Sequence, residues 1–170
     1  MKTLFIFLVG ALLIATQDFK QEQKDVLNGQ INMLIPADFI NIPQEEYQPA
    51  YKGDPKPNDY YCNSDTTIEI GFLKMPKKSE DLKWCKDFVQ MAFLMRATKT
   101  RFNDSITVND VNIYVAEFES TFKGKETYNK MFFLNLENET VFANMNCTLE
   151  QKDQWSPVTK QILNSISINE

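Results

Sequence analysis

Apolar and polar positions along the chain fall into recognisable periods. Ile31, Met33 and Ile35 alternate with Asn32 and Leu34 before Pro36, which predicts a short strand. Pro43 followed by Gln44-Glu45-Glu46-Tyr47 predicts one helical turn, with proline first and acids next, ended by Pro49. From Thr66 to Met75 a strand places Ile68, Ile70 and Phe72 on one face and Glu69 and Leu73 on the other. Ser79 is the expected N-cap of an amphipathic helix of about five turns, with Glu80 and Asp81 in its first turn. Its expected inner stripe is Trp84, Phe88, Met91, Ala92 and Met95. The second half reads mostly as strand. Ile106–Val108 and Val111–Phe122 flank Asn109-Asp110, a hairpin signature, and Tyr128–Leu136 and Thr140–Cys147 flank Glu137-Asn138-Glu139. Apolar runs such as Ile113–Ala116 and Met131–Leu134 predict strands covered on both sides. A last helix from Asp153 carries Trp155, Val158, Ile162 and Leu163 inward, and Ser165–Ile168 can add a short strand. This order predicts an α+β fold, an α/β/α sandwich with a mostly antiparallel central sheet and helices on both faces.

The first residues do not belong to that pattern. Met1-Lys2-Thr3 is a short positive start, Leu4–Ile14 is an uncharged apolar run of 11 residues, and polar sequence begins at Asp18. A spanning helix needs roughly 20 residues, so the run reads as a secretory signal peptide. The alternative, a buried N-terminal helix, would ordinarily show a polar face. We place the signal at residues 1–17 and a single domain at 18–170; a cut after Ala15 is the rival site. The expected location is exported, periplasmic or secreted. No later segment is long and apolar enough to be an integral membrane span.

Composition narrows the chemistry. The 170 residues are 43% hydrophobic and 12% aromatic, which describes a folded domain. Histidine is absent, which removes Ser-His-Asp and Cys-His catalysis and histidine metal ligands. A charge of −5 with two arginines, Arg96 and Arg101, argues against a nucleic-acid partner. Five glycines, none in a phosphate-loop pattern, argue against a nucleotide cofactor, and no cofactor or metal is expected.

Three cysteines remain. Cys85 lies in the predicted helix beside Trp84 and reads as a buried small hydrophobe. Cys62 and Cys147 are the candidate disulfide, closing a loop of about 85 residues for about 4 kcal/mol; three buried thiols are the alternative. Residues 49–64, rich in proline and charge, form the least regular stretch. Tyr47, Tyr51, Tyr60 and Tyr61 bracket it as a candidate recognition surface, with Tyr51, Tyr60 and Tyr61 the candidate partner-binding residues, because tyrosine supplies contact area at low entropic cost. The competing reading closes the core with them. Glu117 and Glu119 share a strand face and are the candidate pair for acid–base or cation chemistry, against a simple solvated strand end. The Trp84, Phe88, Met91 and Met95 stripe either packs on the sheet or binds an apolar ligand.

The segment INMLIPADFINIPQEEYQPAY resembles the opening of the PsbP/Mog-type α/β/α sandwich, and TTIEIGF resembles its second strand. The ending from Phe142 to Ile168 resembles the closing strand, tryptophan-bearing helix and Ser-Ile strand of bacterial DcrB-like exported domains. The resemblance spans about residues 28–168 and rests on motif order. It implies a binding or accessory domain. PsbP-like members bind a photosynthetic complex, Mog-type members a small GTPase, DcrB-like members sit in the bacterial envelope, and another branch chaperones toxin transmembrane segments. Three functions follow as expectations: a non-enzymatic domain contacting an envelope or extracellular protein, a chaperone or carrier for apolar segments, and a carboxylate- or metal-dependent enzyme.

Overall fold

A computed structural model describes residues 19–47, 55–122 and 124–169. The signal assignment and Tyr51 lie outside these residues. Strands β1 (Gln21–Val26), β2 (Ile31–Pro36), β3 (Ile40–Asn41), β4 (Asp59–Cys62) and β5 (Ile68–Pro76) precede helix α1 (Lys83–Ala92). Strands β6 (Ala97–Val108), β7 (Val111–Phe122), β8 (Lys125–Asn135) and β9 (Glu139–Thr148) then lead to helix α2 (Lys152–Asn164) and β10 (Ser167–Ile168). The large sheet runs β3-β4-β5-β9-β8-β7-β6, and a small sheet runs β1-β2-β10. All of these pairings are antiparallel, which makes the fold α+β.

Turn chemistry sets the hairpins. Asn109 and Asp110 have φ of 47° and 64°, the left-handed values that a two-residue turn needs to match strand twist. Between β1 and β2, Leu27, Asn28 and Gly29 are all left-handed, at φ of 55°, 59° and 83°. Leucine rarely accepts this conformation. Here it is held because the Leu27 side chain is buried and its N–H donates to the Asp59 carboxylate on β4. One hydrogen bond thus ties the small sheet's turn to the large sheet.

Alternate residues of the same strands feed two cores. Ile113 and Val115 of β7, Phe132 and Leu134 of β8, and Val141, Ala143 and Met145 of β9 pack with Trp155, Ile162 and the small sheet's Ile31, Met33 and Ile35. Tyr114, Ala116 and Phe118 of β7 and Met131 and Phe133 of β8 pack instead with Leu82, Cys85 and Val89 of the α1 segment. The continuous apolar run of β8 follows from this, since every residue from Tyr128 to Leu134 is buried.

Several expectations need correction. Helix α1 begins at Lys83, because the Ser79 hydroxyl accepts the Asp81 N–H, forming a local turn ahead of the helix. Its buried residues are Cys85 and Val89, while Met91 and Met95 are 68% and 77% exposed. The single turn expected after Pro43 does form, with Glu46 and Tyr47 N–H both donating to the Pro43 carbonyl. Strands β1 and most of β6 carry no apolar alternation in the sequence; each is held by a partner strand, β1 by β2 and β6 by β7. The final strand does form, but it pairs with β2 in the small sheet.

Candidate functional site

Helix α1 covers β7 and β8, and among the described residues no helix covers the β4-β5-β9 side of the same face. A groove of about 180 Å³ lies there, with Gly71, Leu73, Phe142 and Asn144 in its floor. Its walls come from two aromatic rings. Tyr60 stands on β4, and Tyr47 meets it from the turn after Pro43, with ring centroids 4.8 Å apart at 64°. Edge-to-face geometry of this kind aligns the positive ring edge with the negative ring face. Pro55 and Pro57 complete that wall.

Sequence explains why the groove sits there. Tyr60 is paired with Gly71, and Gly71 with Asn144, in one row across three strands. Glycine leaves a gap that the Tyr60 ring leans over, with Cδ2 3.5 Å from where a Cβ would stand. Burial, followed by the Glu69 charge, pushes the Tyr60 pKa up. Tyr60 is therefore a neutral donor at physiological pH. Sequence reasoning singled out Tyr47 and Tyr60 among the aromatics bracketing the irregular stretch but missed Glu69, Gly71 and Asn144. A lone glycine inside a strand pattern was the available signal, since it marks a bulge or a gap beside a ring.

Tyr61 does not join them. It points to the opposite face, is 5% exposed, packs edge-on to Phe72 at 6.4 Å and lies beneath Lys24. Its expected partner-facing position is corrected to the core, because adjacent strand residues face opposite sides.

The expected Cys62–Cys147 bridge is not formed, and all three cysteines are free and buried. Cys62 pairs with Glu69 and Cys147 with Ile68, so the two lie on opposite faces of the sheet with β5 between them. Two strand spacings are about 9–10 Å, beyond the roughly 7 Å reach of a disulfide. Burial pushes the Cys85 and Cys147 thiols up to about 12 and raises Cys62 as well, so all stay protonated.

Glu117 and Glu119 are engaged in ion pairs. Glu119 accepts Arg101 Nη2 at 2.6 Å and Lys152 Nζ at 2.9 Å, and Glu117 lies 3.3 Å from Lys130 Nζ. Hydrogen bonds from Lys152 and then Arg101 hold the Glu119 carboxyl down to about 2. A carboxylate held ionised in this way has no proton to donate near neutral pH. Among the described residues, no group of three or more histidine, cysteine, aspartate or glutamate side chains converges as a metal site. No described helix is long and apolar enough to cross a membrane.

Neither a family model nor a curated protein matches this chain. Solved structures do. Cyanobacterial PsbP (CyanoP) from Synechocystis sp. PCC 6803 superposes with a TM-score of 0.63 at 7% identity, over 89% of this chain and 94% of its own. LpqN of Mycobacterium tuberculosis, described as involved in cell envelope biogenesis, gives 0.54 at 12% identity, over 89% and 91%. A protein of Bacteroides thetaiotaomicron gives 0.53 at 7% identity, over 88% of this chain and 48% of that one. At such identities the likeness speaks for the fold: the chain has a PsbP-like fold.

Proposed function

We propose that the protein is an exported, non-enzymatic accessory or binding domain that contacts an envelope or extracellular protein through the Tyr47–Tyr60 groove and the sheet beside it. In this reading residues 1–17 direct export, residues 18–170 form one domain, and α1 and α2 make the outer layers of a three-layer sandwich like that of DcrB-like exported domains. The observation that carries the proposal is the open half-face. Two half-buried tyrosines, Tyr60 on a strand and Tyr47 on the adjoining turn, display aromatic contact area outside both cores. The envelope role in LpqN's description supports the exported setting. Cross-linked capture from native envelope and culture fluid tests the proposal, run beside Tyr60→Ala. One protein enriched by the wild type and lost with the folded variant is the expected result; equal capture by both overturns the placement.

A second reading has its own observation. Met91 and Met95 are exposed, and between them Phe93 stacks on Phe142 at 5.9 Å, which in turn lines the groove. Adaptable methionines beside an aromatic floor suit a chaperone or carrier for apolar segments. It predicts saturable binding of an apolar helical peptide that weakens in a Met91→Lys, Met95→Lys variant. Absence of peptide binding to the folded protein removes this reading.

A further inference from the structure

The groove also specifies the chemistry of what enters it, an inference that rests on the binding role proposed above. Glu69 and Asn144 stand diagonally across the row in which Gly71 has no side chain, a separation of about 7–8 Å. The gap at Gly71 leaves their side chains facing one cavity. Glu69 lines the groove beside Tyr60, and no lysine or arginine among the described residues forms a salt bridge with it. Asn144 Oδ1 is buried and has no hydrogen-bond donor among the described residues. Two described lysines near it, Lys74 and Lys56, are committed elsewhere. Lys74 holds Glu139 at 2.6 Å, and Lys56 donates to the Gln44 carbonyl at 3.2 Å.

Beside two aromatic rings, a carboxylate and an orphan carbonyl form a site with no cationic donor among the described residues. The volume of about 180 Å³ falls below the roughly 300–1,000 Å³ of pockets for drug-sized ligands, so it suits one unbranched side chain. We propose that the groove receives the ε-ammonium of a lysine on the partner protein, with Glu69 as counter-ion and Asn144 Oδ1 as second acceptor. Lysine fits better than arginine. Guanidinium pairs best with both oxygens of one carboxylate in one plane, whereas the groove offers one carboxylate and a separate carbonyl. An ammonium carries three donors about a point and can serve separated acceptors. The chain's charge of −5 favours a basic partner surface.

The test titrates the isotope-labelled protein with Nα-acetyl-lysine N-methylamide and follows the Gly71 backbone amide and the Asn144 side-chain amide by NMR. The norleucine and arginine counterparts serve as controls. Saturable shifts with lysine, weaker ones with arginine and none with norleucine are expected. Glu69→Gln should weaken lysine binding by about tenfold or more, the factor carried by one charge-assisted hydrogen bond. Gly71→Val should fill the floor and abolish the shifts while circular dichroism stays unchanged. If norleucine shifts both signals as lysine does, if Glu69→Gln binds as tightly, or if no derivative binds, the proposal is overturned. Should Gly71→Val fail to fold, Glu69→Gln decides. Capture lost with Tyr60→Ala but kept with Glu69→Gln would preserve the binding face and remove the lysine from it.

Discussion

Among the described residues, one face of the large sheet is sealed from β4 to β7, while the other is sealed under α1 and uncovered beside it. Strand β9 shows the difference in its own sequence. Its sealed-side residues Val141, Ala143, Met145 and Cys147 are all buried. On the other side Phe142 packs with the α1 core, and Asn144 and Asn146 follow it into the groove. Polarity along one side of a single strand therefore marks where helical cover ends. The two tryptophans repeat the contrast. Trp155 is fully buried on the sealed side, stacked on Phe39 at 5.7 Å, whereas Trp84 on the other side is half-buried against Phe88 and Phe133.

If the sealed face carries most of the stability, breaking it should have the largest effect. Trp155→Ala is expected to cost about 3–5 kcal/mol in urea denaturation, and Trp84→Ala about half as much. Equal losses would erase the distinction between the faces. Next comes the neighbouring pair on β4. Tyr61→Ala should cost about 3 kcal/mol, because it opens a cavity in the core, while Tyr60→Ala should cost about 1 kcal/mol. A reversed order would exchange their sides.

Glu119 gives a pH-dependent test at the rim of the sealed face. Its folded pKa of about 2 lies below its ordinary value of 4.5. The stabilisation is therefore whole above about pH 4.5 and is lost as pH falls toward 2. The stability gap between wild type and Glu119→Gln should shrink across that window; a gap of constant size would contradict the ion-pair assignment. The smallest expected effect is none at all. With three free cysteines, adding reductant should leave the melting temperature unchanged, and the thiols should react with a disulfide reagent only after denaturation. A fall in melting temperature on reduction would reveal a bridge.

Legibility in the sequence tracked burial. The inner stripe of α2, the alternation of β5 and the Asn109-Asp110 turn were readable because each depends on local period or turn chemistry. The polar edge of β6 was not. Its residues gain their conformation from pairing with β7, and the register shifts near Lys99 and Phe102 further blur any period. In α1 the apolar excess misled. Of Trp84, Phe88, Met91 and Met95, only Trp84 and Phe88 pack on the sheet, at the edge of a core filled by Leu82, Cys85 and Val89, while the two methionines are exposed. At the groove, Tyr60 was legible as an aromatic beside an irregular stretch. Its partners were not, because Glu69, Gly71 and Asn144 converge only once β4, β5 and β9 are laid side by side.

Pairing of β2 with β10 brings residues 31 and 32 against 168 and 167. This has a consequence for the order of assembly. The meander from β6 to β9 closes through short turns and can form early, since nearby segments lose little entropy on meeting. The small sheet must wait for the last strand to arrive from the far end of the chain. Until then Ile31, Met33 and Ile35 have only part of their cover, and the side of β2 that β10 will occupy is an unpaired edge. A nascent chain is thus most exposed to wrong pairing just before synthesis reaches residue 168, and the final turn of folding is also the step that closes its most vulnerable strand.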